Sequence, residues 1–280
     1  MLLRIITGIV GITLAAWVIQ TGGLVFALFA LLLAVLAWLE YVRAFAHKGG
    51  NLALLTGIAA IGGLWGCAWQ GFPAEATVMV LTLSALACLL AAVLMHSRMK
   101  FTDAALSVCG ISYLGLPFAH LVLLRSLEPG RMVETSLMPF EYGAAMIWIM
   151  FIGTWASDTF AYFVGSAIGS HKLCPSISPG KTIEGFLGSL VGTTATLAGL
   201  GVFFSFPVPE MAGLGFAISI LATLGDLVES VAKRYVGIKD SGNIIPGHGG
   251  VWDRFDSVLF TVPLVYYFVV LTNMLGRGAL

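Results

Sequence analysis

Charge is what this sequence has least of. Asp, Glu, Lys and Arg make up 10% of its 280 residues, against 59% hydrophobic, and the mean hydropathy is +0.97. That balance excludes a soluble globular domain and indicates an integral membrane protein. The few charges cancel, 14 basic against 14 acidic; a neutral balance says nothing about nucleic acid, but no basic tail occurs to bind one, and no nucleic-acid partner is expected. Cysteine is as sparse. Cys67, Cys88, Cys109 and Cys174 show no CxxC spacing, so they read as small apolar side chains rather than zinc ligands or disulfides. No internal repeat of about 20–50 residues and no low-complexity stretch is present. Residues 1–20 hold Arg4 and an apolar run but no small-x-small cleavage site, so they read as a first transmembrane helix and not a signal peptide.

What the sequence does have is long apolar runs. A helix crosses about 30 Å of hydrocarbon in roughly 20 residues. Nine runs meet that length, near 3–20, 22–42, 51–70, 75–95, 104–124, 142–169, 184–206, 210–232 and 256–275. The expected fold is therefore all-α, a polytopic membrane protein of about nine transmembrane helices. The basic residues between the runs are asymmetric. Arg4, Arg43, Lys48, Arg98, Lys100, Lys172, Lys181, Lys233, Arg234, Lys239 and Arg254 fall on one side, and Arg125, Arg131 and Arg277 on the other. The positive-inside rule then places the N-terminus in the cytoplasm and the C-terminus outside.

Three regions follow: a transmembrane scaffold over 1–74, a middle transmembrane region over 75–140 that is a candidate dimer interface, and a catalytic region over 141–280. The first five runs carry almost no charge within them. From Met146 onward acids appear inside apolar segments, namely Asp158, Asp226 and Glu229, and an ionisable residue there points to function. Asp158 follows Glu141 by 17 residues, and Asp226 follows Glu210 by 16. At about 1.5 Å per residue both lie near the expected cytoplasmic boundary, where Glu184, Asp253 and Asp256 also open runs.

The most polar stretch is Ser230 to Asp256, SVAKRYVGIKDSGNIIPGHGGVWDRFD, with a loop over 233–255 set between apolar runs. Its backbone needs water, protein or ligand partners. Asp226, Glu229, Ser230, Lys233 and Arg234 recur at helical spacing and line one stripe, acids deeper and bases toward the cytosol. That stripe reads either as a structural ion-pair ladder or as a hard-cation site beside a phosphate site. Gly249 and Gly250 let backbone N–H groups approach an anion, with Asp253 as an oxygen ligand; the alternative is a glycine turn with Asp253 near a helix N-cap. His248 suits a hydrogen bond to phosphate or to a loop carbonyl better than a metal. In the SISPGKTIEG segment, Ser178, Lys181 and Thr182 precede a helix and form a candidate anion cradle. Its GKT lacks the Walker A spacing.

The polar stretch closely resembles the signature of the phosphatidate cytidylyltransferase (CDP-diacylglycerol synthase) family, through Ser230, Lys233, Arg234, Lys239, Asp240, Gly242, Ile245, Pro246, His248, Gly249, Gly250, Asp253, Arg254, Phe255 and Asp256. Ala232 departs from the larger apolar residue usual there. The SPGKTIEG segment and Ser157-Asp158 are also similar to the family. The resemblance implies transfer of CMP from CTP to phosphatidate, giving CDP-diacylglycerol and pyrophosphate. It implies Mg2+ with a second, monovalent cation, K+, and a homodimer. It assigns metal to Asp226 and Asp253, to which Asp158 is added as a candidate. Lys233, Arg234, Lys239, Asp240, His248, Arg254 and Asp256 would complete the catalytic set, and Ser178, Lys181, Thr182, Glu184, Ser230, Gly249 and Gly250 would bind substrate. The residues suit such chemistry. Phosphatidate brings its own anionic nucleophile, so no Ser/His/Asp triad is needed; what is needed is charge neutralisation and alignment of two polyanions. A CTP-dependent lipid kinase would use similar residues, and a secondary transporter would place acids near the midplane of inverted repeats.

Overall fold

The computed structural model describes residues 2–71, 73–244, 247 and 249–274. His248, Ile245, Pro246 and Arg277, all weighed above, lie outside the described residues. Each apolar run is a helix, with ends within a few residues of the expected ones. They are α1 (Leu2–Thr21), α2 (Gly23–His47), α3 (Leu54–Trp69), α4 (Ala74–Leu94), α5 (Phe101–Gly110), α6 (Leu116–Arg125), α7 (Tyr142–Ile168), α8 (Ile183–Phe203), α9 (Val208–Val236), the single turn α10 (Trp252–Phe255) and α11 (Val258–Met274). A π-helical segment, Ile111–Gly115, joins α5 to α6. Among the described residues six helices are long and apolar enough to cross a bilayer: α2, α4, the continuous Phe101–Arg125, α7, α8 and α9. The apolar Ile6–Thr21, Leu54–Trp69 and Val258–Met274 are shorter. The protein is a polytopic, all-α membrane protein.

The loops are less plain than the sequence implies. Two antiparallel ribbons interrupt them, β1 (Met132–Val133) with β2 (Phe140–Glu141), and β3 (Lys172–Cys174) with β4 (Ser178–Thr182). The second ribbon turns what reads as an open polar loop into a fixed hairpin, with Lys172 opposite Thr182. Its pairing satisfies backbone groups that would otherwise need water beside an apolar helix.

The chain forms two compact units. One comprises Met1–Leu123 with Ala232–Phe255, and the other Leu124–Val231 with Asp256–Leu280. In the first, aromatic side chains of α2 set the packing. Trp38 is fully buried; its indole N–H donates to the Leu54 carbonyl at 3.1 Å, and its ring fills the space beside Gly57, where a Cβ would overlap it. Tyr41 donates to the Leu106 carbonyl at 3.1 Å and lies against Gly110. Close approach of this kind satisfies polar tips in an apolar interior.

In the second unit α7 and α8 pack along a glycine stripe. Gly185 meets the Ala161 carbonyl, Gly188 meets Val164, and Gly192 meets the Phe160 ring. Small residues let membrane helices approach closely where hydrophobic burial gives no net drive. Buried hydroxyls reinforce the contact: Ser157 bonds Ser189 at 3.2 Å, Ser189 bonds Ser219, and Thr154 bonds Thr261 at 2.9 Å. A Cβ at Gly188 would lie 2.5 Å from Val164 Cγ2, whereas one at Gly199 on the same helix meets nothing within 4 Å. Gly188→Ala is therefore expected to cost about 1–3 kcal/mol through overpacking. Gly199→Ala should be neutral or stabilising by up to about 1 kcal/mol through helix propensity. Thermal melts of both variants in detergent check this, and equal shifts would contradict it.

Candidate active site: a cleft and a polar loop

In the first unit, the last turn of α9 leads into the polar loop and then into α10. Gly237, with φ of +80°, ends the helix, and its N–H bonds the Lys233 carbonyl at 2.9 Å. Lys48 from the end of α2 seals that terminus. Its ammonium donates to the Tyr235 carbonyl at 2.6 Å and lies 3.6 Å above the Tyr235 ring, the favourable placement of a cation at a helix C-terminus.

The Asp253 carboxylate organises the loop. It accepts the Ser241 N–H at 2.9 and 3.1 Å, the Gly250 N–H at 2.8 Å and the Lys233 ammonium at 3.0 Å. Its side chain is 4% exposed and that of Lys233 16%. Gly249, with φ of +83°, passes so close that a Cβ would lie 2.7 Å from Asp253 Oδ2.

A second carboxylate, absent from the residues expected from the sequence, holds the same loop. Glu40 of α2 is 1% exposed. It accepts the Val251 N–H at 2.9 Å, the Trp252 N–H at 2.8 Å and the Ser241 hydroxyl at 3.2 Å. A lone acid in the apolar helix 23–47 was the available signal. The glycines of the signature fit around it, since a Cβ on Gly242 would come 2.9 Å from its Oε1 and one on Gly250 would come 2.5 Å from its Oε2. Buried Trp252 donates its indole N–H to Tyr113 at 3.3 Å and packs on Tyr41, with ring centroids 5.2 Å apart. Arg234, Lys239, Asp240 and Arg254 are exposed.

In the second unit, a cleft of about 490 Å³ is lined from α7 by Asp158, Ala161, Tyr162, Gly165 and Ser166. The β3–β4 hairpin contributes Leu173, Ser178, Gly180, Lys181 and Thr182, α8 contributes Gly185 and Phe186, and α9 contributes Thr223 and Asp226. Five of the residues singled out in the sequence, Asp158, Ser178, Lys181, Thr182 and Asp226, thus meet in one place. Lys181 pairs with Asp226 at 2.6 Å, and Ser230 donates to the other Asp226 oxygen at 3.3 Å. Thr182 caps α8 by accepting the Gly185 N–H at 3.1 Å. Glu184 is not in the lining. Its carboxylate accepts the Ser170 and His171 N–H groups and bonds His171 Nδ1 at 2.6 Å, which fastens the hairpin to the start of α8. Asp256 accepts the Ser257 N–H at 2.6 Å.

The model of the cytidylyltransferase family matches residues 2–272. The chain belongs to the cytidylyltransferase family. Among curated relatives, the phosphatidate cytidylyltransferase of Bacillus subtilis (strain 168) is 32% identical over 276 residues, which cover 96% of this chain and 97% of the relative. That of Staphylococcus saprophyticus is 35% identical over 274 residues, covering 95% and 97%. That of Staphylococcus aureus (strain COL) is 34% identical over 270 residues, with the same coverage. The resemblance read from the signature stands, and it extends along the N-terminal helices as well.

A cytidylyltransferase handles phosphates, and the donors of the cleft suit a hard cation. Two carboxylates, Asp158 and Asp226, and the hydroxyls of Ser178 and Thr223 line it. Among the described residues no three His, Cys, Asp or Glu side chains cluster as a complete ligand cage. Mg2+ is commonly held by one or two carboxylates, with waters and substrate phosphates completing the shell, so the cleft fits that ion.

The two neighbouring bases of α9 differ in what removing them does. Lys233 is mostly buried on Asp253, while Arg234 is exposed. Lys233→Ala should cost about 2 kcal/mol, less than a fully stripped buried pair because Asp253 keeps its amide donors, and should also lower turnover. Arg234→Ala should lower turnover with a smaller loss of melting point than Lys233→Ala. Arg234→Lys should lower it too, since the guanidinium fork is lost while the charge stays. Melting curves and steady-state rates of the three variants check this; equal stability losses at both positions would contradict it.

Proposed function

We propose that the protein is a phosphatidate cytidylyltransferase, transferring CMP from CTP to phosphatidate and releasing CDP-diacylglycerol and pyrophosphate in phospholipid synthesis. The observation that carries this is the family match along residues 2–272, together with relatives of that activity covering 95% or more of the chain. In the reaction a phosphate oxygen of phosphatidate bonds to the α-phosphorus of CTP as the α–β bridging bond breaks. Pyrophosphate leaves with the electron pair. The nucleophile is already ionised, so the protein contributes alignment and charge neutralisation.

Within that reading, Lys181, Arg234, Lys239 and Arg254 bind phosphate oxygens, Arg with a two-pronged fork and Lys as a point charge. Ser178 and Thr182 orient an anion at the start of α8. The apolar side of the cleft, Tyr162, Leu173 and Phe186, suits a lipid substrate, and its polar side suits the phosphate. Asp226, with Asp158 beside it in the cleft, and Asp253 are the acids proposed for Mg2+ and an accompanying K+. Bound there, the divalent ion would withdraw charge from the phosphate oxygens. Asp240, Asp256 and His248 complete the proposed catalytic set, and Ser230 and Glu184 the proposed substrate-binding set. The working form is proposed to be a homodimer in the cell membrane, with nine spans, the N-terminus inside and the catalytic residues at the cytoplasmic face, where CTP arrives from water and phosphatidate from the leaflet.

The assay uses purified protein in detergent with phosphatidate, magnesium and CTP labelled at either the α or the γ phosphate. Label from the α position should enter lipid, and γ label should leave as pyrophosphate. Appearance of γ label in lipid would instead indicate a CTP-dependent kinase. Asp226→Asn should cut the rate by more than about tenfold, or about 1.4 kcal/mol of barrier, with normal insertion and folding. Residual activity above a tenth would remove Asp226 from the metal set.

The orientation rests on the asymmetry of basic residues. A reporter fused after Arg277 should be external, and one inserted near Lys172 or Ser241 cytoplasmic. A cytoplasmic C-terminal reporter would overturn the nine-span arrangement.

A further inference from the structure

We propose that Glu40 is the positioning residue of the signature loop: its buried carboxylate, carried by the second helix, fixes the loop conformation on which phosphate binding and turnover depend. This rests on the cytidylyltransferase reading for its effect on turnover, and on geometry alone for its effect on the loop.

The geometry is specific. Three consecutive backbone N–H groups at the approach to α10 point at carboxylates, Gly250 at Asp253 and then Val251 and Trp252 at Glu40. Glu40 therefore receives the first amide of α10, that of Trp252, and the one just before it, where the orphan donors of a helical turn gather. The Ser241 hydroxyl, at the far end of the loop in sequence, donates to the same carboxylate at 3.2 Å. The Ser241 N–H meanwhile bonds Asp253. One acid from α2 and one from α10 thus tie Ser241 to residues 250–252 in a ring of hydrogen bonds.

The ring fixes where functional groups stand. Arg254 follows Asp253 directly, and Lys239 and Asp240 precede Ser241. Loosening the loop moves all of them while leaving each side chain intact. The carboxylate form is required, since both Glu40 oxygens accept from N–H donors. An amide at this position would offer one acceptor and set an NH2 against a second donor. Gly242 and Gly250 press on the carboxylate too closely for any Cβ to intervene, so the loop cannot shift sideways to compensate. Lys48, eight residues after Glu40 and just past the end of α2, anchors the α9 end of the loop through the Tyr235 carbonyl. The N-terminal helices thereby take part in the site without touching a substrate.

The test is Glu40→Gln in the full-length protein, purified in detergent, with hydrogen–deuterium exchange by mass spectrometry beside the CTP assay. Peptides covering 249–253 should exchange at least tenfold faster than in the wild type. Peptides from α7 and α8 should be unchanged, and turnover should fall at least tenfold. Exchange at 249–253 within twofold of the wild type would overturn the proposal. So would a uniform acceleration throughout the protein with normal turnover in the folded fraction, since that marks a residue that only stabilises. If Glu40→Gln does not accumulate as folded protein, Ser241→Ala is put through the same measurements. It removes one donor to Glu40 and no charge, and should raise exchange at 249–253 and lower turnover by severalfold; no change in either would overturn the proposal. Exchange is read without substrate, so it reports on Glu40 even if the wild type shows no transfer of CMP, an outcome that would count against the function and not against the anchor.

Discussion

A polar loop inside a largely apolar protein has one problem before any chemistry begins, which is what its backbone bonds to. An amide left unpaired away from water costs about 1–3 kcal/mol or more, and ordinary secondary structure is not available to an irregular glycine-rich loop. In the first unit of this protein the problem is solved with two carboxylates. Asp253 takes the amides of Ser241 and Gly250, and Glu40 takes those of Val251 and Trp252. A carboxylate is suited to this because it has about four acceptor sites and no donor, and its charge strengthens each bond. The charge cost is met locally, by the Lys233 ammonium for Asp253 and by the amide donors of Val251 and Trp252 for Glu40.

Much of this was legible in the sequence, and the part that was not has a physical reason. Among the described residues each apolar run is helical because, in an apolar surrounding, a helix is the only way for a single segment to satisfy its own backbone. Hydropathy therefore reports structure almost directly. The cleft residues Asp158, Lys181 and Asp226 could be picked out as charges where charge is rare. Glu40 could not be paired with its partners, because a carboxylate that binds backbone N–H groups leaves no complementary side chain to notice. The three donors it meets are Ser241, Val251 and Trp252, and two of them act through main chain alone. The β3–β4 hairpin was missed for a similar cause, since its Lys-Leu-Cys and Ser-Pro-Gly-Lys-Thr strands are too short to show alternation.

The cationic side chains divide by environment. Lys181 and Lys233 are held on carboxylates and partly or mostly buried, whereas Lys239 and Arg254 are exposed. Held cations have fixed positions and a counter-charge; exposed ones can follow a mobile ligand at little electrostatic cost. An enzyme that must receive a triphosphate and release pyrophosphate benefits from both, because a site made only of fixed, fully paired charges binds product as firmly as substrate. Binding energy common to ground state and transition state does not accelerate turnover.

The signature's glycines then take on a different meaning from the one their sequence context invites. Two adjacent glycines after a histidine read as a place where bare backbone cradles a phosphate. Here the backbone at Gly250 already donates to Asp253, and Gly242 and Gly250 stand where a Cβ would collide with Glu40. Gly249 adopts a positive φ and passes directly over Asp253. The anions that demand glycine are the protein's own. A glycine-rich motif beside acids therefore need not mark the ligand's position; it can mark the place where buried carboxylates and backbone meet, with the ligand held by the side chains that this arrangement leaves at the surface.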